Sequence, residues 1–356
     1  MTNDPEKALA RSEKDHGDGW CHDLKPLEPL DVLKAGSFSE MLEQMSRTAF
    51  GGRSLGQAAD VLHEMVTDPK CFVVGTFAGA MTIAKMGLLL TEMIDQGLLN
   101  AVISTGALLC HGLIEQTGHT HFRHDPSWSD KKLYDAGYAR VYDTLELEKN
   151  LDVAEATSYA ALQSMPADTP FGSFEFTHRL GEHLRSKHEG RGILQSAAAK
   201  DVPVYVPAFT DSELGIDVYT YNLLAPQRGW KPVRFDPLRD MDDYFRRVSA
   251  AERLGIFTIG GGVPRNWGQQ IGPVAEILHR RTDGKVGGMC RFRYAVRICP
   301  EPVHWGGLSG ATYSEGVSWG KFVPPSEGGR FAEVRADATI AWPILIRGVL
   351  ERLGRV

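Results

Sequence analysis

Cys71-Phe72-Val73-Val74-Gly75-Thr76-Phe77-Ala78-Gly79-Ala80 is an apolar run that breaks at Gly75 into small residues. A short apolar run bounded by glycine reads as a buried strand. The small residues after it let backbone approach a ligand. A helical pattern follows from about Thr82 to Gln96, with Met86, Leu89, Leu90, Met93 and Ile94 on one face. Ala101-Val102-Ile103-Ser104 repeats the buried-strand pattern, and Ser104-Thr105-Gly106-Ala107 opens a helix through Glu115. Two such units in succession imply adjacent parallel strands joined by right-handed crossovers. In sheets of this kind ligands bind at the carboxyl ends of the strands.

The same rhythm extends outward. Val202-Pro203-Val204-Tyr205-Val206 and Ile256-Phe257-Thr258-Ile259 read as further buried strands, and the alternation from Arg291 to Ile298 as another. Helices are expected over Asp240–Leu254, 268–281 and Thr339–Leu353, the last with Pro343 in its first turn, where proline is tolerated. Ser37–Val66 is helical with a break at Phe50–Gly56. Ser127–His188 reads as mostly polar helix, with Asp143–Leu151 charged and exposed. The fold class is α/β, a central, mostly parallel sheet flanked by helices. Residues 1–36 read as a partly flexible arm and 37–356 as a single domain.

The 356 residues are 42% hydrophobic and 24% charged, an ordinary soluble composition. A net charge of −6 offers no basic footprint for nucleic acid. No apolar run approaches the roughly 20 residues of a membrane span. Five cysteines without C-x-x-C spacing point to a reducing compartment, and the expected location is cytoplasmic.

Several residues stand out chemically. Gly260-Gly261-Gly262, between a strand and a helix, suits either a tight turn or backbone approach to a phosphate. Asp211, just past a strand, suits a ribose hydroxyl, a substrate amine or a helix N-cap. Arg53 reads as a surface arginine in a helix corner. His111, His119, His121 and His124 form the densest histidine group. A metal would need two or three of them plus an acid such as Asp125. Neither a second helical pair nor cysteine supports one, so no metal is expected and His111 is assigned to a pocket. Ser309–Lys321 is rich in glycine and carries Glu315, Trp319 and Lys321. A lysine desolvated beside an indole is disfavoured as an ammonium and can form an imine with a carbonyl compound. The alternative is a solvated loop lysine.

Val317-Ser318-Trp319-Gly320-Lys321, the triple glycine followed by Val263, and Ser309-Gly310-Ala311 together resemble deoxyhypusine synthase. Arg53-x-Leu55-Gly56, Ser104-Thr105-Gly106, Thr210-Asp211-x-x-Leu214-Gly215 and Ala336-Asp337-Ala338 fall in the same order along residues 40–350. The resemblance implies a Rossmann-like fold that binds NAD, and a homotetramer with sites at dimer interfaces. It also implies transfer of a 4-aminobutyl group from spermidine, a polyamine, to an acceptor amine through a lysine imine. Lys321 matches the imine-forming lysine, Trp319 the indole over the polyamine, and Glu315 an acid for a substrate amine. Thr105, Gly106, Asp211, Gly261, Gly262, Ser309, Asp337 and Ala338 match cofactor-binding positions.

Departures accompany the match. Asn266 stands where the familiar enzymes carry a histidine, Leu308 where they carry an acid, and His111 where an early loop has glutamate. These three are expected to line the substrate pocket. A second acid falls on Ile216, with Asp217 one step off. Gly79–Gly87 resembles the bacterial branch, which generally lacks the translation-factor acceptor. The alternatives are therefore a homospermidine-synthase-like enzyme with putrescine as acceptor, or a non-catalytic homologue binding NAD and polyamine.

Overall fold

A computed structural model of the chain describes residues 16–166 and 169–356. The chain enters through α1 (Phe38–Ser46) and α2 (Phe50–Thr67) and reaches β1 (Cys71–Phe77). Then come α3 (Gly87–Asp95), β2 (Ala101–Ser104) and α4 (Gly106–Gln116). An excursion follows: β3 (Phe122–Arg123), α5 (Asp130–Asp135), β4 (Tyr138–Val141) and β5 (Thr144–Leu147). Helices α6 (Glu148–Gln163), α7 (Ser173–Lys187) and α8 (Ile193–Ala199) lead to β6 (Val204–Tyr205). The second half runs α9 (Glu213–Arg228), α10 (Leu238–Ser249), β7 (Arg253–Ile259), α11 (Gly262–Gln269) and α12 (Ile271–Arg281). It ends with β8 (Phe292–Ile298), α13 (Tyr313–Ser318), β9 (Arg330–Val334) and α14 (Ala338–Arg352).

The main sheet has the order β6-β2-β1-β7-β8-β9, and every pairing in it is parallel. Successive strand residues face opposite sides, so each face has its own core. Val73, Val102, Phe257 and Val296 pack with α2, α3, α4 and α14; Val74, Ile103, Ile256 and Ala295 pack with Tyr244, Tyr313 and Phe322. Trp342 of α14 is fully buried against Phe77, with ring centroids 5.5 Å apart. Emptying such a position costs about 3–5 kcal/mol.

Five expectations need correcting. The helix break lies at Arg47–Ala49, and the glycines belong to α2, where Gly56 lets α1 and α2 cross closely. Residues expected as polar helix contain the antiparallel sheet β3-β5-β4. Within it Leu145, Glu146 and Leu147 are buried rather than exposed, Glu146 because two histidines meet it. The helix expected over Asp240–Leu254 stops at Ser249, since Arg253 and Leu254 pair into the sheet. Pro343 lies inside α14 rather than in its first turn, so the carbonyl of Thr339 lacks a helical donor. Finally, β9 is an additional edge strand. Of the expected arm, residues 1–15 lie outside the described residues. The rest is irregular apart from a short turn at Trp20–His22, and Glu28 anchors it to Arg47. No helix among the described residues is long and apolar enough to cross a membrane.

Candidate active site

From β1 the sheet grows outward through β2 and β6, and in the other direction through β7, β8 and β9. The β1/β7 boundary is therefore the topological switch point, where open α/β sheets leave a crevice for a ligand. Three glycines shape it. Gly260 (φ 76°) and Gly262 (φ 62°) adopt left-handed backbone that glycine supplies without strain. Gly261 is a close approach: a Cβ there would lie 2.7 Å from Ser309 Cα. Ala78 N closes the boundary by donating to Ile259 O at 3.1 Å. The turn and the cradle are thus one structure at the N-terminus of α11.

On the β2 side, Thr105 caps α4. Its Oγ1 accepts from Leu108 N at 3.2 Å and donates to Gly79 O at 2.7 Å. Gly106 abuts α9, since a Cβ would lie 2.0 Å from Ser212 Oγ. Ser212 holds the N-cap position of α9, so the capping alternative for Asp211 fails and its carboxylate is exposed. At the far edge, Asp337 caps α14 by accepting from Thr339 N at 2.7 Å, and Ala338 begins that helix.

After β8 the chain turns back along the sheet. Two buried arginines fix this return. Arg297 donates to Ser309 O at 2.6 Å, to Ala311 O at 2.8 Å and to Glu333. Arg265 donates to Ala311 O at 2.7 Å, while its Nε and Nη1 are buried without a partner. The Tyr313 ring packs beside both guanidiniums, with its centre 5.8 Å from that of Arg265 and 5.7 Å from that of Arg297. The backbone of Lys321 is registered on the start of β8: Phe292 N donates to Lys321 O at 2.9 Å, and Val323 N donates to Phe292 O at 2.9 Å.

From that anchor the Lys321 side chain reaches α11, where Nζ donates to Asn266 Oδ1 at 3.1 Å. Desolvation holds its ammonium below the usual lysine range; the charge of Arg265 adds to this and Glu315 opposes it. The Trp319 ring centre is 5.9 Å from Nζ, and the indole is 65% exposed. Glu315 and Leu308 are also exposed. Lys321 is thus a half-buried amine with one neutral hydrogen-bond partner, and not a solvated loop lysine.

The remaining expected residues lie elsewhere. His111 Nδ1 is 3.2 Å from Glu146 Oε2, inside the fold and among different partners. His119 and His124 engage Thr117 and Trp128 of their own loop. Ile216 points outward from α9, whereas Asp217, one residue on, turns into the core at 6% exposure and cannot stand in for it. Arg53 donates to Thr48 O, as a corner arginine should. A cleft of about 420 Å³ lined by Phe171, Phe174, Glu175, Pro203 and Arg247 contains none of these residues. Sequence reasoning missed Arg265, Arg297 and Glu333. An arginine between Val296 and Ile298, in a strand buried on both faces, was the available signal for one of them.

The deoxyhypusine synthase family model matches residues 40–349. "Probable deoxyhypusine synthase 2" of Methanosarcina acetivorans is 34% identical over 92% of this chain and 90% of its own. "Deoxyhypusine synthase-like protein" of Chlorobaculum parvum is 31% identical over 90% of this chain and 88% of its own. Among solved structures, a candidate deoxyhypusine synthase from Entamoeba histolytica superimposes with TM-score 0.56 at 13% identity, covering 90% of this chain and 95% of that one. That likeness supports the fold. The order of strands, the glycine turn and the match along nearly the whole chain converge: the protein belongs to the deoxyhypusine synthase family.

Proposed function

We propose that the protein transfers a 4-aminobutyl group from spermidine to an acceptor amine through an imine on Lys321, with NAD as cofactor. The observation that carries this reading is the state of Lys321: partly desolvated, beside a buried arginine, and bonded at 3.1 Å to an amide that cannot take its proton. A lysine so placed loses its proton more readily than a solvated one, as an imine-forming amine must.

The crevice residues fit a dinucleotide. Gly261 lets Ser309 approach closely and Gly262 opens α11 at the crevice, Thr105 and Gly106 line the β2 side, and Asp211 presents an exposed carboxylate. Asp337 and Ala338 stand at the head of α14, completing the set assigned to NAD. NAD, when bound, supplies reversible hydride acceptance, so the transfer is redox-neutral overall. Lys321 Nζ attacks the oxidised C=N carbon of the donor; that carbon–nitrogen bond breaks and 1,3-diaminopropane leaves. The acceptor amine then attacks the same carbon and releases Lys321. Asn266 orients Nζ, and Glu315 and Trp319 hold the cationic chain, the indole by cation–π contact.

Exposed Ile216, Tyr219 and Leu223 form a stripe on α9, and Trp319 and Leu308 are open as well. This supports a homo-oligomer whose partner subunit covers the site, of which a tetramer is the expected form. With Leu308 and Ile216 in place of acids, the charge match to a long cationic donor is weak; the alternative acceptor is putrescine, as in a homospermidine-synthase-like enzyme. The composition supports a cytoplasmic location. Incubation with NAD and spermidine, borohydride trapping and mass spectrometry test the reading: an aminobutyl adduct on Lys321 is expected. Absence of an adduct with any di- or polyamine, while NAD still binds, would instead support the non-catalytic alternative.

A further inference from the structure

Three residues that the transfer chemistry leaves unused converge where α4, the turn before β3, and β5 meet. His111 lies in α4, His121 just before β3, and Glu146 on β5. One ligand atom from each lies within 4.8 Å of the other two. Glu146 Oε2 is 3.2 Å from His111 Nδ1 and 2.6 Å from His121 Nε2. The three side chains are 10%, 0% and 1% exposed. We propose that they bind one divalent first-row transition cation, which clamps the β3–β5 excursion to α4.

The donor set suits such an ion. Two imidazoles and a carboxylate are the ligands of open zinc and non-haem iron sites, with a coordination position left for water. His111, the most exposed of the three side chains, marks the side of entry. A second observation is independent of the clustering. His121 Nε2 is buried and has no hydrogen-bond partner; its approach to Glu146 is close but misaligned for an N–H···O bond. In the Nδ1–H tautomer the Nε2 lone pair faces the other two ligands, which is where a Lewis acid would bind.

The surroundings are those of an oriented ligand shell. Glu146 Oε1 accepts from Leu147 N at 2.8 Å and from Asn150 Nδ2 at 3.2 Å, which aims Oε2 at both rings. On the far side of His121, Glu115 Oε1 lies 3.8 Å from Nδ1, as an outer carboxylate does. Lys85 Nζ bonds Glu115 at 2.5 Å and lies 3.1 Å from His121 Nδ1. With both imidazoles neutral, as metal ligation requires, two carboxylates and one ammonium leave the pocket net negative before a cation enters. The competing arrangement is metal-free: Lys85 donates to Nδ1 and His121 Nε2–H to Glu146, a buried ion-pair chain with the same stapling effect.

Metal titration of the full-length protein separates the two. After stripping with chelator, the protein is titrated with Co²⁺, and Zn²⁺ is added in competition. One cobalt per chain with ligand-field bands, displaced by zinc, is expected. His121→Ala should lose that cation, and Glu115→Gln should weaken binding roughly 10–100-fold. His124→Ala, on the same loop but outside the cluster, should keep it. No stoichiometric cobalt binding by the wild type, or full binding by both His111→Ala and His121→Ala, overturns the proposal in favour of the ion-pair chain. Should His121→Ala fail to fold, anomalous diffraction from zinc-soaked wild-type crystals decides. A peak roughly 2.0–2.2 Å from His111 and His121 supports the site; a peak elsewhere, or none, overturns it.

Discussion

Asn266 Oδ1 accepts a hydrogen bond from Lys321 Nζ at 3.1 Å, joining the helix that follows the triple glycine to the residue that ends the Ser-Trp-Gly-Lys run. An amide at that point orients the amine without fixing its charge. Asn266→Asp would place a carboxylate there and stabilise the ammonium, raising the lysine pKa by roughly 1–3 units. Adduct formation at neutral pH should fall and its pH profile should move upward. Trapped adduct measured from pH 7 to 10 checks this; an unshifted profile would show that Asn266 does not govern the charge of Lys321.

Arg265 lowers the same pKa from inside the fold, and two of its three nitrogens lack partners. Arg265→Met removes a buried charge that is poorly compensated, and such replacements are often neutral or stabilising. The expected result is an upward shift in the pH profile of adduct formation with a melting temperature unchanged or raised. A large loss of stability would mean that its bond to Ala311 O outweighs the charge.

Trp319 is largely exposed, so Trp319→Ala should change folding stability by no more than about 0.5 kcal/mol. Loss of a cation–π contact of about 0.5–2 kcal/mol should raise KM for the polyamine roughly 2–30-fold. Steady-state kinetics alongside thermal melts test the split.

Gly261→Ala forces a Cβ to 2.7 Å from Ser309 Cα, backbone that cannot move cheaply. Overpacking of this kind costs about 1–3 kcal/mol. NAD affinity, read by fluorescence titration, should drop together with the melting temperature. Retained affinity would place the dinucleotide away from this turn.

Burial raises the Asp217 carboxyl to about 7, with Glu155 and Glu213 adding to it. Its folded pKa lies above the unfolded value, so the fold binds the extra proton between about pH 4 and 7. Stability through this group is fully present below about pH 4 and is lost progressively as pH rises to about 7, by up to about 4 kcal/mol in all. Asp217→Asn should be more stable than wild type at pH 8, and that advantage should shrink by more than half at pH 5. Urea unfolding at both values tests the sign.

The central strands were legible because parallel strands buried on both faces spell continuous apolar runs, as Val73-Val74 and Val102-Ile103 do. Lys321 was legible through its neighbours Trp319 and Gly320, and the glycine turn through its place between strand and helix. Other features lie beyond local pattern. Glu146 looked exposed because the two histidines that bury it are distant in sequence. Arg330–Val334 escaped notice because Glu333 serves Arg297 on the neighbouring strand, which breaks the apolar signature. Pro343 was misplaced since the helix start depends on Asp337 as a cap, and caps are set by geometry after the strand.

The β8 strand carries the return segment from its two ends: Ser309 lies near its exit and Lys321 O is bonded at its entrance. Seven residues of strand therefore act as a ruler between the crevice at the glycine turn and the anchor of Lys321. Inserting one residue would lengthen the ruler by roughly 3.3 Å and turn every later side chain to the opposite face. Both errors exceed what a reacting pair tolerates, so an insertion in β8 should disturb the site far more than one in a loop, and the spacing of the site is inherited from the sheet.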